Sequence, residues 1–298
     1  MDRREAMGFL AGLGAAAAIP CASLAAEPAL ERPIPASGEK LPAIGLGTWI
    51  TFDVTDAAQR RARGDILRAF FDSGGRLVDS SPMYGASEET IGAAMPPDAS
   101  RLFAASKVWT VGALAGRRQM ENSRALWRVK RFDLMQVHNF LDWETHLATL
   151  RQMKADARVR YIGVTTSHGR RHDLAEAIMR QERIDFVQFT YNVNDRGAEP
   201  LFPIAAERGI AVIVNRPFDG GNVFGAKTAK PLPGWGAELG CATWAEAFLK
   251  FVVSQPAVTC AIPATSQLAH LRENMRALAG PLPDAALRRR IAEDYARL

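Results

Sequence analysis

Short apolar runs recur along the chain, each followed by a longer stretch whose apolar residues fall three or four positions apart. The runs cover residues 44–49, 76–80, 102–107, 134–138, 161–165, 186–190, 210–215 and 258–263. They are rich in β-branched residues and too short for helices, so they predict strands buried on both faces. The intervening stretches predict helices over 65–71, from Ser87 onward, and over 117–130, 143–155, 173–181, 201–208, 243–253 and 267–279. Ile66, Leu67, Phe70 and Phe71 share one face of the first. Gly74-Gly75, Gly209 and Gly280 stand where helices end. A tail over 284–298 predicts one more helix, with Leu287, Ile291 and Leu298 on a common side.

Eight strands alternating with eight helices point to a parallel sheet closed as a (β/α)8 TIM barrel. Residues 27–40 are Pro-rich and polar and read as a linker, leading into a small hairpin around Ser37-Gly38 that closes the bottom. The barrel itself is assigned to 41–298. The rival is an open doubly wound sheet, which binds a dinucleotide at a glycine-rich first turn. Gly45-Leu46-Gly47 approaches that fingerprint, but Thr48-Trp49 follows and no third glycine appears.

The first 26 residues break the alternation. Arg3 and Arg4 precede a mildly apolar Ala/Gly-rich stretch, and Ser23-Leu24-Ala25 offers small residues for cleavage. This is the layout of a secretory signal, and the paired arginines resemble a twin-arginine export signal. The expectation is a periplasmic or secreted protein handled by the twin-arginine machinery, or a cytoplasmic one if the signal is not used. Pro20 ends the stretch, so no permanent membrane anchor is expected.

Composition narrows the picture further. Of 298 residues, 48% are hydrophobic and 23% charged, which suits a globular chain and argues against a disordered or fibrous one. The 37 Lys and Arg exceed the 32 Asp and Glu by five, but the charges are dispersed, so no nucleic-acid partner is expected. Cys21, Cys241 and Cys260 are too few for a disulfide framework or a cysteine-rich metal site.

In such barrels chemistry gathers at the C-terminal ends of the strands. There the sequence places Asp79, Lys107 and His138, with Tyr84 in the loop after Asp79. Carbonyl reduction needs a hydride at carbon and a proton at oxygen. No side chain donates hydride, so a nicotinamide cofactor must. A nearby ammonium lowers a tyrosine's pKa toward one useful for proton donation. Asp79 can hold Lys107, and His138 can orient the carbonyl oxygen. Trp49, Phe52, Trp109 and Phe140 follow strands one, three and four and could wall a pocket for an apolar or aromatic carbonyl.

These residues carry a resemblance. AIGLGTW (43–49), LVDSSPMYGASEETIG (77–92), ASKVW (105–109), DLMQVHN (133–139), RYIGVT (160–165) and FVQFTYN (186–192) resemble the aldo/keto reductases, as does the IP…LREN pattern (262–274). The resemblance implies that Tyr84 is the general acid, tuned by Lys107 and Asp79, with His138 orienting the substrate. It also implies NADPH, with NADH possible, bound extended across the barrel mouth. The cofactor residues carried over are Thr165, Thr166, Gln188, Asn215, Arg216, Thr265, His270, Glu273 and Asn274. Several depart from the family pattern. Thr165-Thr166 stands for Ser-Asn, Asn215 for an aromatic that stacks on nicotinamide, and Ala264 and His270 for cations that read the adenosine 2′-phosphate. These departures keep a second reading open, a reductase-like nucleotide-binding subunit or redox sensor with little turnover. A third, a metal-dependent barrel hydrolase using His168 and His172, lacks the His-x-His on strand one.

Overall fold

The computed structural model describes residues 29–298; the N-terminal segment read as an export signal lies outside them. A two-stranded antiparallel hairpin, β1 (Glu31–Pro33) and β2 (Lys40–Pro42), comes first. Eight parallel strands follow: β3 (Leu46–Gly47), β4 (Leu77–Asp79), β5 (Phe103–Val108), β6 (Phe132–Val137), β7 (Val159–Thr165), β8 (Phe186–Thr190), β9 (Ala211–Asn215) and β10 (Val258–Ala261). The helices are α1 (Ala57–Asp72), α2 (Ser87–Ala94), α3 (Ala113–Trp127), α4 (Trp143–Ala155), α5 (His172–Gln181), α6 (Leu201–Arg208), α7 (Trp235–Glu238), α8 (Trp244–Val253), α9 (Leu268–Arg276) and α10 (Ala285–Arg297).

The strands are hydrogen-bonded in chain order from β3 to β10. Parallel bridges Ile44↔Ala261 and Gly47↔Ala264 then join the two ends, so the sheet closes as a TIM barrel. The first strand, two residues long, is shorter than its apolar run over 44–49. A Cβ on Gly45 would lie 2.8 Å from the Leu77 carbonyl oxygen, and one on Gly47 2.7 Å from that of Ile262. Glycine at both positions lets the backbones meet.

Side chains alternate along each strand, so every second residue faces the barrel axis. The lower inward layers are apolar. Leu77, Phe103, Ala105, Leu134, Tyr161, Phe186, Ala211 and Ile213 pack there with Ile34 and Leu41 of the hairpin. The hairpin that the Pro-rich stretch leads into is therefore the floor of the barrel. Continuing the same alternation upward gives polar residues: Asp79, Lys107, Gln136, Thr165, Gln188 and Asn215. The outward residues form the larger core against the helices, with Phe70, Trp127, Phe189 and Phe251 fully buried. Each such side chain contributes about 1.5–3 kcal/mol.

Helix α1 begins well before residue 65. Asp56 caps it by accepting the Gln59 N–H at 2.9 Å. Its first turns are Ala, Gln and Arg, good helix formers that lack an apolar face.

Candidate active site

Asp79 is the last residue of β4, and Lys107 faces inward one strand away on β5. Both are buried, and the Lys107 ammonium donates to Asp79 Oδ2 and, at 2.8 Å, to the Ser80 carbonyl. Asp79 Oδ1 accepts from Gln136 Nε2 and Gln188 Nε2, each at 3.1 Å. The carboxylate is thus held on both oxygens. Burial alone would lower the Lys107 pKa, but Asp79 and Tyr84 outweigh it and hold the ammonium above its ordinary value.

Tyr84 folds back over this pair, with the Lys107 Nζ 5.0 Å from its ring centroid. Two carboxylates fix the loop that carries it. Asp53 accepts the Ala86 N–H at 2.8 Å, and Gly85 between them has φ +56°. A Cβ on Gly85 would fall 2.3 Å from Asp53 Oδ1, so both the conformation and the approach require glycine. On the next turn Glu88 is buried among three donors: Ser106 Oγ at 2.6 Å, Ser123 Oγ at 2.7 Å and Trp127 Nε1 at 3.1 Å. Burial nonetheless pushes its carboxyl up, the three hydrogen bonds opposing.

The Lys107 ammonium would by itself lower the Tyr84 pKa. Burial raises it more than the lysine lowers it, so the phenol stays protonated through neutral pH. His138 follows β6 and meets the Tyr84 ring edge-on at 5.7 Å. Burial, with the Lys107 charge second, depresses it to about 2, so the imidazole is neutral. Its Nδ1 lies 2.8 Å from Ser81 Oγ.

Tyr84, His138 and Asp79 border a cavity of about 1130 Å³ at the C-terminal end of the barrel. All nine residues assigned to the cofactor line it, and so does Trp49. Trp109 and Phe140 do not. The chain turns through positive φ at Asn139 and Phe140, which drives the Phe140 ring into the core at 2% exposure. Trp109 is 41% exposed outside the cavity, its backbone tied to the Gln119 amide. Phe52 is also buried away from it.

The cavity exceeds the roughly 300–1,000 Å³ of ordinary ligand pockets. Arg216 lines it in a left-handed conformation (φ +49°), paired with Asp219 at 3.2 Å and set 5.9 Å from the Trp49 ring. Among the described residues the buried Arg216 Nε has no partner, a donor suited to an anionic group. Asn215 donates to the Thr166 carbonyl at 2.8 Å and to Gln188 Oε1 at 3.3 Å. It thereby links Thr166 to the Gln188 amide that donates to Asp79. Thr166 donates its hydroxyl to the Arg170 carbonyl at 2.7 Å. Among the described residues no three His, Cys, Asp or Glu side chains converge as a metal would require.

A family model for the aldo/keto reductase family matches residues 43–290. The chain belongs to the aldo/keto reductase family. It is 26% identical over 266 residues to methylglyoxal reductase YeaE of Escherichia coli, covering 86% of this chain and 93% of that protein. Among solved structures of the family, the thermostable aldo-keto reductase Tm1743, in complex with the inhibitor epalrestat, superposes with a TM-score of 0.76 at 27% identity. The match covers 89% of this chain and 99% of that one. An aldo-keto reductase from Klebsiella pneumoniae in complex with NADPH gives 0.75 at 24% identity, covering 87% and 92%.

Ser81, Gln136, Asp53 and Glu88 escaped the sequence argument. Only Gln136 carried a signal. It stands two residues before His138, hence on the same inward face, and pairs in register with Lys107.

Proposed function

We propose that this aldo/keto reductase reduces an aldehyde or ketone to the alcohol with NADPH, NADH being the alternative donor. The observation that carries the reading is the convergence of a protonated phenol, a neutral imidazole and a buried ammonium–carboxylate pair on one cavity. When bound, the cofactor supplies the hydride to the carbonyl carbon. Thr165, Gln188, Asn215 and Arg216 would hold its nicotinamide half, and Thr265, His270, Glu273 and Asn274 its adenosine half. Tyr84 Oη gives its proton to the carbonyl oxygen, and the Lys107 ammonium stabilises the tyrosinate left behind. Asp79 keeps that ammonium in place. His138 donates a hydrogen bond to the same oxygen and aims the carbonyl.

The Trp49, Ile50 and Met83 side chains border the cavity and are at least 40% exposed, which favours an apolar or aromatic carbonyl. Residues 1–26 extend the proposal to export through the twin-arginine route. The test is a steady-state assay with NADPH or NADH and a reactive aromatic aldehyde. Nucleotide oxidation matched by alcohol formation supports the reading. Tight nucleotide binding without oxidation overturns it in favour of a sensor or binding subunit.

A further inference from the structure

We propose that Ser81 is a positioning residue for His138: its hydroxyl grips Nδ1 and so commits the ring's proton to Nε2, the nitrogen that meets the carbonyl oxygen. The inference rests on the reductase reading of the cavity.

A serine hydroxyl has one proton to give and two positions at which to accept. Ser81 is fully buried, so each of these needs a partner. The Met83 N–H, at 3.3 Å, fills one accepting position. Among the described residues the hydroxyl proton has one acceptor in reach, His138 Nδ1 at 2.8 Å. Placing the ring proton on Nδ1 would aim a second donor at the same oxygen and strand the hydroxyl proton in the interior. That arrangement costs the desolvation of an unmade hydrogen bond. The imidazole carries a single proton, because burial and the Lys107 charge keep it neutral. That proton is therefore on Nε2.

Nε2 has no hydrogen-bond partner among the described residues, and His138 borders the cavity. A carbonyl oxygen entering there meets two donors, the Tyr84 hydroxyl and Nε2–H. With the other tautomer, or with the ring turned over, the oxygen would face a lone pair or a carbon. Ser81 thus acts through His138, setting both the proton position and the ring orientation.

The test uses the full chain with 15N-labelled histidine. In the wild-type protein the His138 ring nitrogens should show a protonated Nε2 and a bare Nδ1. Ser81→Ala should move both signals toward tautomer-averaged positions and lower kcat/KM about tenfold, the low end of what orienting partners of metal-bound imidazoles contribute. The Kd for NADPH, read by tryptophan fluorescence, should not change. Ser81→Thr, which keeps the hydroxyl, should restore both signals and rate. Should Ser81→Ala fail to fold, Ser81→Cys, a weak donor of similar volume, is read in the same way. Unchanged ring signals in the variant, or an Nδ1 proton in the wild type, overturn the proposal. The spectrum needs no substrate, so it still decides the question if the wild type binds nucleotide and reduces nothing, a result that would sink the reductase reading instead.

Discussion

The two ends of the barrel both carry clustered charges, and they are finished differently. At the bottom, Glu39 accepts from Arg76 at 2.9 Å and also from Arg160. Arg160 in turn holds Asp133 at 2.7 Å, and Tyr161 donates to Ser37 at 2.7 Å. Among the described residues Glu39 and Asp133 there each have a guanidinium partner. At the top the Lys107–Asp79 pair is equally complete, yet it backs onto groups that are not. His138 and Arg216 line the cavity, and among the described residues the buried Arg216 Nε has no hydrogen-bond partner. Saturated polar groups brace a fold; the unsaturated ones beside them mark where a second molecule completes the set.

The sharpest way to break this contrast is Tyr84→Phe. It removes the proton donor while keeping the ring, so kcat for carbonyl reduction should fall roughly 10³-fold. Cofactor affinity, measured by fluorescence titration, should hold. Unchanged turnover would remove Tyr84 from its role.

Lys107→Met comes next, because it leaves the Asp79 carboxylate buried without its cation. Breaking such a pair costs about 3–5 kcal/mol. Urea unfolding should show that loss, and reduction should be abolished as well. Gly85→Ala tests the loop rather than the charges. The new Cβ must displace Asp53, and the left-handed backbone is strained, so about 1–3 kcal/mol should be lost together with part of the activity.

At the bottom, Arg160→Met should cost only about 1 kcal/mol, because the pairs there are partly exposed. Turnover should be unaffected. Burial alone would raise the Glu39 pKa, but Arg160 and Arg76 outweigh it and hold the carboxyl below the ordinary carboxylate range. Its contribution to stability is therefore present above pH 4.5 and is lost as the pH falls through the depressed value. Thermal melts should show the variant losing part of that acid-side slope.

The smallest effect is an absence of one. With His138 down at about 2 and Tyr84 raised above its ordinary value, neither titrates near neutrality. The kcat/KM for reduction should be flat from pH 6 to 8 and decline only on the alkaline side. An inflection near 6.5 would show a His138 that is not neutral.

Much of this was legible in the chain because barrel strands announce themselves twice, as apolar runs and as fixed alternation. Counting by twos from Phe103 reaches Lys107, and from Leu134 reaches Gln136 and then His138. What escaped depends on local backbone geometry. Trp109 and Phe140 follow strands and look like pocket walls, but a positive φ at Phe140 turns its ring inward. Ser81 reads as an ordinary turn residue until its hydroxyl is found against His138. In the sequence Glu88 marks only the start of a helix from Ser87 onward. Only the approach of α3 shows that Ser123 and Trp127 enclose it. The early start of α1 was hidden because Arg and Ala favour a helix without giving it an apolar stripe.

The glycine seam also bears on how the chain reaches this shape. Seven of the neighbouring strand pairs join segments adjacent in sequence, whereas Ile44 and Ala261 come from opposite ends of the chain. Such a distant contact carries the largest loop-closure entropy and is rewarded only after everything between has been organised. Docking of the two-residue strand against its far neighbour is therefore the natural final event of folding. Because β3 also leads to Trp49 and the wall of the cavity, the ligand site is completed only when the cylinder shuts.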